Sequence, residues 1–302
     1  MAQKVQTISE IRSLISGMLR RLWPDEEAEA LASSVIREYT GMTRAAQLAF
    51  GDRQLETGVA EKIFAAAARA SEGEPLQYIT GYTEFCGHRI EVEPGVLIPR
   101  PETEEMTTMI IEAFRETEEM RPVLVAGRRG FEGTVTDLCT GSGCIAIALS
   151  MAFPRATVVA TDNSRAAIRV AARNVALTGA SVTLAMADLF TDDHAAIPLS
   201  GIIVSNPPYV TESEKEAMHP NVLDHEPHEA LFVPDDDPLL YYRRIAEIAA
   251  VRLVPGGTLW LEVNENHAPA TAGLFNASLY RQVSILKDIR GKERFIKAER
   301  HG

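Results

Sequence analysis

The sequence predicts an α/β protein: a mostly parallel sheet of seven strands with helices on both faces, preceded by a small all-helical domain and a β-hairpin linker. Three observations lead there. From about residue 133 onward, short β-branched runs alternate with segments of helical periodicity. Residues 1–75 carry helical spacing alone. Residues 76–100 break into glycine-separated runs rich in Ile, Val, Tyr and Phe. The domain boundaries that follow are 1–75, 76–100 and 101–302.

The helical part opens with a capping box, Thr7-x-x-Glu10, after which Ile8, Ile11, Ile15, Met18, Leu19 and Leu22 recur on one face. Pro24-Asp25 restarts the chain, and Ala28, Leu31, Ala32, Val35 and Tyr39 line a second helix. Gly41 and Gly51 punctuate shorter helices, and an Ala-rich segment from Ile63 to Ala70 ends before Gly73 and Pro75. No catalytic constellation is visible here, so this part is expected to pack or to recognise a substrate. The linker closes with Leu97-Ile98-Pro99-Arg100-Pro101-Glu102-Thr103-Glu104. Pro101 suits the first turn of a following helix, and Glu102 and Glu104 suit either its positive end or a ligand.

Strands and helices then alternate: Thr134–Leu138, Cys144–Met151, Thr157–Thr161, Arg165–Leu177, Ser181–Met186 and Ile202–Ser205. After a long loop come Pro238–Arg252, Thr258–Val263, Ala268–Leu274, Tyr280–Ile285 and Arg294–Lys297. The last two strands are joined by Asp288-Ile289-Arg290-Gly291-Lys292, too short for a crossover helix, and are expected to pair antiparallel.

Composition narrows the function class. A chain of 302 residues, 46% hydrophobic and 24% charged, can bury a substantial core and suits a soluble enzyme. No apolar run approaches membrane length, and residues 1–7 lack the apolar core of a signal peptide. Cys86, Cys139 and Cys144 are odd in number and lack metal-ligand spacing, which points to a reducing cytoplasm and no metal. A net charge of −12 opposes a nucleic-acid partner; neither DNA nor a membrane is expected, and a monomer is.

The chemistry concentrates at strand ends. Asn206-Pro207-Pro208-Tyr209 follows the apolar strand Gly201–Ser205, and two prolines force the chain out of the sheet at Asn206. The Asn206 side-chain oxygen and the Pro207 carbonyl can each accept one N–H of a planar –NH2 group, with the Tyr209 ring over its face. Asp137-Leu138-Cys139-Thr140-Gly141-Ser142-Gly143 ends another strand, and its glycines let backbone N–H groups approach a ligand. Asp162 ends the next strand, 19 residues after Gly143, where an acid can accept both hydroxyls of a ribose. Asp188 follows the third strand and can accept from an adenine amine, with Leu189 or Phe190 against the ring. His225, His228 and Asp235-Asp236-Asp237 read as solvated loop residues. A nicotinamide dehydrogenase shares the ribose acid, but it has no use for an amide clamp after the fourth strand. The clamp favours a methyltransferase that uses S-adenosylmethionine.

With those motifs in view, the chain resembles the class I S-adenosylmethionine-dependent methyltransferases and, more narrowly, the release-factor glutamine N5-methyltransferases (PrmC/HemK family). The likeness runs through Gln77-Tyr78-Ile79-Thr80-Gly81, Phe85-x-Gly87, Ile98 to Glu104, Asp137 to Gly143 and Asn206 to Tyr209. It continues in Glu226-Pro227 before Ala230-Leu231 and in Asp288-x-x-Gly291-x-x-Arg294-Phe295. Two stretches depart from the family pattern. Phe232 to Asp237 stands where a Gly-rich turn is usual, and Glu262-Val263-Asn264-Glu265-Asn266 follows the fifth strand. The resemblance implies that Cys139, Thr140, Gly141, Ser142, Gly143, Asp162, Asp188, Leu189 and Asn206 hold S-adenosylmethionine. Asn206, Pro207, Pro208 and Tyr209 would hold the target, the glutamine of the Gly-Gly-Gln loop of class 1 peptide chain release factors. The alternative targets are a glutamine of a ribosomal protein and the N6 of an adenine in nucleic acid; a cofactor-binding protein without activity is a further alternative.

Overall fold

The computed structural model describes residues 6–119, 131–191 and 194–302. The N-terminal expectation drawn from residues 1–7 therefore falls largely outside the described residues. The chain divides into two compact units, one of residues 1–81 with 219–225, the other of residues 82–218 with 226–302.

In the first unit, helices α1 (Ile8–Leu19), α2 (Asp25–Thr40), α3 (Arg44–Ala49), α4 (Thr57–Ser71) and α5 (Leu76–Thr80) follow one another. The capping box forms as expected: the Glu10 N–H donates to the Thr7 hydroxyl, and the Thr7 N–H donates to Glu10. Ile8, Ile11, Ile15 and Leu19 meet Ala28, Ala32, Val35 and Ile36 and the α4 stripe from Ala60 to Ala70 in one buried core. The small alanines let these helices approach closely. Where the sequence reading ends the helical part at residue 75, the unit runs on to Gly81, because Leu76 and Ile79 of α5 pack on the same core. It also takes in residues 219–225, where His219 stacks on Trp23 with ring centroids 4.3 Å apart.

The second unit begins with the hairpin β1 (Tyr82–Phe85) and β2 (His88–Glu91), followed by α6 (Pro101–Glu119), which Pro101 opens. The alternation comes next: β3 (Thr134–Leu138), α7 (Cys144–Ala152), β4 (Thr157–Asp162), α8 (Arg165–Thr178), β5 (Val182–Met186) and β6 (Ser200–Ser205). Then come β7 (Val210–Thr211), α9 (Pro220–Leu223, in the first unit), β8 (Phe232–Val233), α10 (Leu240–Arg252), β9 (Leu253–Glu262), α11 (Ala268–Ala272), β10 (Tyr280–Lys287) and β11 (Glu293–Arg300).

Seven strands form one sheet in the order β10-β11-β9-β6-β3-β4-β5. The five from β9 to β5 in that order run parallel, and β11 is antiparallel to both its neighbours. Chain order reverses between β3 and β6, which makes their C-terminal ends the place where a cleft opens. Two buried clusters cover the sheet, one built with α6 and α7, the other with α10 and α11. The fifth parallel strand starts earlier than the predicted Thr258. It runs from Leu253 through Pro255-Gly256-Gly257, and the pairing register shifts between Ser200 and Ile202, a break that accommodates the proline. The loop after Tyr209 is not wholly irregular, since β7 and β8 pair parallel there. Among the described residues no helix is long and apolar enough to cross a membrane.

Candidate active site

Between β3 and α7 the backbone passes through left-handed conformations at Cys139 (φ 59°), Gly141 (φ 57°) and Gly143 (φ 84°). A Cβ on Gly143 would stand 3.2 Å from the Cβ of Ala171, so glycine is what lets α8 pack against the turn. A Cβ on Gly141 would meet no protein atom within 4 Å, and Gly141 lines the cleft. The space over its backbone is left for a ligand.

The turn is secured from beneath. The Thr140 hydroxyl donates to Asp137 Oδ2 (2.6 Å), and the Thr140 N–H to the Thr161 carbonyl (2.9 Å). Fully buried Asn174 donates through Nδ2 to the carbonyls of Ser142 and Glu91 (2.9 Å each), while its Oδ1 accepts from the Glu91 N–H (2.7 Å). One side chain of α8 thus ties the glycine turn to β2. Asp137 is itself fully buried, and loss of hydration pushes its carboxyl up to about 7 although Thr140 and the Ala146 N–H favour the ionised form.

Asp162, at the end of β4, accepts from the Gly141 N–H at Oδ2 (2.9 Å) and from the Ser164 N–H at Oδ1 (2.8 Å). Each carboxylate oxygen keeps lone-pair capacity for a ligand hydroxyl. Burial raises its pKa, and the backbone N–H groups of Ser164, Gly141 and Asn163 oppose that rise. Asp188 accepts from the Phe190 N–H at Oδ1 (2.9 Å), which leaves its other oxygen for the cleft that it lines. Leu189 is buried beside it, and Phe190 meets Tyr241 edge-on with centroids 5.1 Å apart. Cys139 and Cys144 line the same cleft; burial pushes both thiols far up, so they are neutral packing groups and not thiolate nucleophiles.

β6 ends at Ser205, and the chain leaves the sheet at Asn206 as the two prolines require. Asn206 Nδ2 donates to the Thr103 hydroxyl oxygen (3.0 Å). The Thr103 hydroxyl donates in turn to Glu262 Oε2 (2.6 Å), and the Tyr209 hydroxyl to Glu262 Oε1 (2.9 Å). Burial raises the pKa of Glu262, a shift opposed by Thr103, Tyr209 and the charge of Arg294. Glu226, buried in the next loop, accepts from the Ile98 N–H (3.1 Å) and from Arg100 Nη2 (2.7 Å). That pairing holds Leu97, Pro99 and Arg100 along the rim.

The structure therefore brings Cys139, Thr140, Gly141 and Ser142 into one cleft with Asp162, Asp188, Leu189, Asn206 and Pro208. Gly143, Pro207 and Tyr209 do not line it. Gly143 faces Ala171, Pro207 is buried, and Tyr209 is tied through its hydroxyl to Glu262. His225 belongs to the helical unit, His228 meets Phe232 edge-on, Asp235 accepts from the Ser213 N–H, and Asp237 pairs with Arg243. Among the described residues no cluster of His, Cys, Asp and Glu could hold a metal. Sequence reasoning missed Glu262, Thr103, Asn174 and Tyr241 as site residues. A lone acid closing the apolar strand Leu259-Trp260-Leu261-Glu262 is the one signal that was available.

Comparisons with known proteins show what the chain as a whole is similar to. A family model described as Methyltransferase small domain matches residues 117–229, and one described as PrmC N-terminal domain matches residues 14–81. The release factor glutamine methyltransferase of Bacteroides thetaiotaomicron is 40% identical over 97% of this chain and 100% of its own length. Its namesake from Flavobacterium psychrophilum is 33% identical over 96% of this chain and 98% of its own, and that from Deinococcus radiodurans 32% identical over 97% and 99%. Identity of that order along the whole length leaves one conclusion about ancestry: the chain belongs to the release factor glutamine methyltransferase family.

Proposed function

We propose that this protein transfers a methyl group from S-adenosylmethionine to the side-chain amide nitrogen, N5, of the glutamine in the Gly-Gly-Gln loop of class 1 peptide chain release factors. The observation that carries the reading is the carboxamide of Asn206, anchored by its nitrogen on Thr103 in the cleft that Gly141, Asp162 and Asp188 also line.

The residues present fit the methyl donor. The cleft is lined by both the glycine turn and the acids that end β4 and follow β5. Gly141 leaves its upper face clear, Asp162 has acceptor capacity for ribose hydroxyls, and Asp188 with Leu189 suits an adenine edge and face. When bound, S-adenosylmethionine supplies a methyl group already activated by a sulfonium.

The protein's task is then the nucleophile. An amide nitrogen delocalises its lone pair into the carbonyl and attacks poorly. Oδ1 of Asn206, a residue that lines the cleft, is assigned to one N–H of the glutamine, and the carbonyl of Pro207, outside the cleft lining, to the other; the pair would fix the nitrogen and oppose that delocalisation as positive charge develops. Orientation of this kind lowers a barrier by about 7–11 kcal/mol in favourable cases. Preorganised acceptors add electrostatic stabilisation of the developing charge. Burial, with the nearby charge of Glu262, raises the pKa of Tyr209, so its hydroxyl is no base at neutral pH. We assign its ring to the amide face. The proton becomes acidic only after transfer, and water can take it. Residues 1–81 with 219–225 we assign to recognition of the protein substrate, in keeping with the match at 14–81.

The test is transfer of a labelled methyl group to a purified class 1 release factor, beside one whose Gly-Gly-Gln glutamine is replaced by alanine. Label in the first and none in the second is expected. Equal labelling of both, or of neither, would overturn the reading.

A further inference from the structure

Glu262 is the most deeply buried acid near the clamp, with no solvent exposure, and the proposed chemistry gives it no role. A carboxylate kept away from water is costly unless its oxygens are paired. Here the partners are Thr103 on Oε2 and Tyr209 on Oε1, and Thr103, 2% exposed, is also the residue that receives Asn206.

The direction of these bonds has a consequence. A hydroxyl owns one proton. Thr103 gives its proton to Glu262 Oε2, and Tyr209 gives its own to Oε1, so both carboxyl oxygens accept. What Thr103 then offers Asn206 is a lone pair, which only the –NH2 end of the carboxamide can use. Asn206 Oδ1 has no donor among the described residues and is left over as an acceptor. A side-chain amide can turn end for end with little change in shape, so its orientation must be set by its partners. Were residue 262 a donor, the chain would run the other way: Thr103 would donate to Asn206 Oδ1, and the –NH2 end would meet the glutamine –NH2, donor against donor.

We infer that Glu262 is a positioning residue, acting through the Thr103 hydroxyl to hold Asn206 with its oxygen presented to the substrate amide. The inference rests on the glutamine reading above and specifies how the site is set for it. The same carboxylate holds the Tyr209 hydroxyl, so one buried group orients both ends of the Asn206–Tyr209 turn. Glu262 closes β9 and Thr103 stands in the first turn of α6, so the sheet and the helix after the linker are brought to bear on a single side chain.

The experiment is steady-state methyl transfer to a release factor by the full chain and by Glu262→Gln, Thr103→Val and Thr103→Ser, with S-adenosylmethionine affinity measured by calorimetry. Glu262→Gln keeps the shape and turns one of the two acceptors, on Thr103 or on Tyr209, into a donor. Thr103→Val keeps the shape and removes the relay. Loss of one preorganised polar contact costs about 10²–10³ in kcat. Thr103→Val is therefore expected to lose kcat by about that factor and Glu262→Gln by a smaller one, with KM for the release factor and donor affinity changed by less than about threefold, roughly 0.7 kcal/mol. Thr103→Ser retains the hydroxyl and is expected to restore most of kcat, which a merely structural role for Thr103 would not produce. Should Glu262→Gln not fold, the Val and Ser pair carries the test, with donor binding as proof of folding. Thr103→Val with unimpaired kcat, or donor affinity lost in parallel with kcat, would overturn the inference. Unmutated protein that labels no release factor would overturn the functional reading and this inference with it; unmutated protein that works beside an unimpaired Thr103→Val overturns the relay alone.

Discussion

Asn174 offers a sharp test of how the glycine turn is held. Its side chain is fully buried and makes three hydrogen bonds, to the Ser142 carbonyl and to both backbone groups of Glu91. Replacement by alanine leaves two carbonyls and one N–H without those partners. At about 1 kcal/mol for each bond, the loss of stability is expected near ~3 kcal/mol, and somewhat more where the orphaned groups stay dry. Asn174→Asp should be worse than alanine despite its shape, because a carboxylate cannot donate and would face two carbonyl oxygens. Urea unfolding gives the stability, and calorimetry the affinity for S-adenosylmethionine. The donor is expected to bind less tightly as Ser142 loses its tether. A loss below about 1 kcal/mol for alanine, or an aspartate variant more stable than alanine, would refute the reasoning.

Further outcomes follow from the same geometry. Asn206→Ala is expected to abolish methyl transfer while donor affinity falls but stays measurable; normal methylation by that variant would refute the clamp. Gly141→Ala puts a Cβ into a left-handed position and into the ligand space, so about 1–2 kcal/mol of stability and most donor affinity should go, as read by melting and calorimetry. Cys139→Gly relieves the left-handed strain at φ 59° but adds chain entropy to the unfolded state. The two nearly cancel, and stability is expected within about 1 kcal/mol of the parent. Asp137 titrates at about 7 in the folded protein and near 3.8 when unfolded. The native state therefore binds the extra proton between those values. This group's contribution is fully present below 3.8, declines by up to ~1.4 kcal/mol per pH unit as pH rises, and is gone above about 7. Urea midpoints at pH 5 and 7 should show that component in the parent and not in Asp137→Asn.

Much of the fold could be read from the chain because its signals are local. The capping box at Thr7 and Glu10, the left-handed glycines after Leu138 and the double proline after Asn206 act within a few residues of themselves. Apolar runs bounded by turn residues marked most of the sheet strands, as at β3, β4 and β6. The strand from Leu253 was read late because Pro255 and two glycines obscure its first half. The places of Asp162 and Asp188 were legible as well, since one closes β4 and the other stands two residues past β5, and the parallel sheet brings those strand ends to one edge.

Other features waited on the tertiary structure. Thr103 and Glu262 lie 159 residues apart, and Asn174 and Glu91 lie 83 apart, so no local pattern couples them. Residues 219–225 join the helical unit although the chain around them belongs to the sheet. By itself the sequence determined the order of elements and the residue types at each strand end, because propensity, capping and turn chemistry are properties of neighbouring residues. Which buried donor meets which acceptor, and hence which way Asn206 faces, was decided only when the sheet order placed β6 and β9 side by side. Hydrogen-bond polarity belongs to a network in space and not to a stretch of chain.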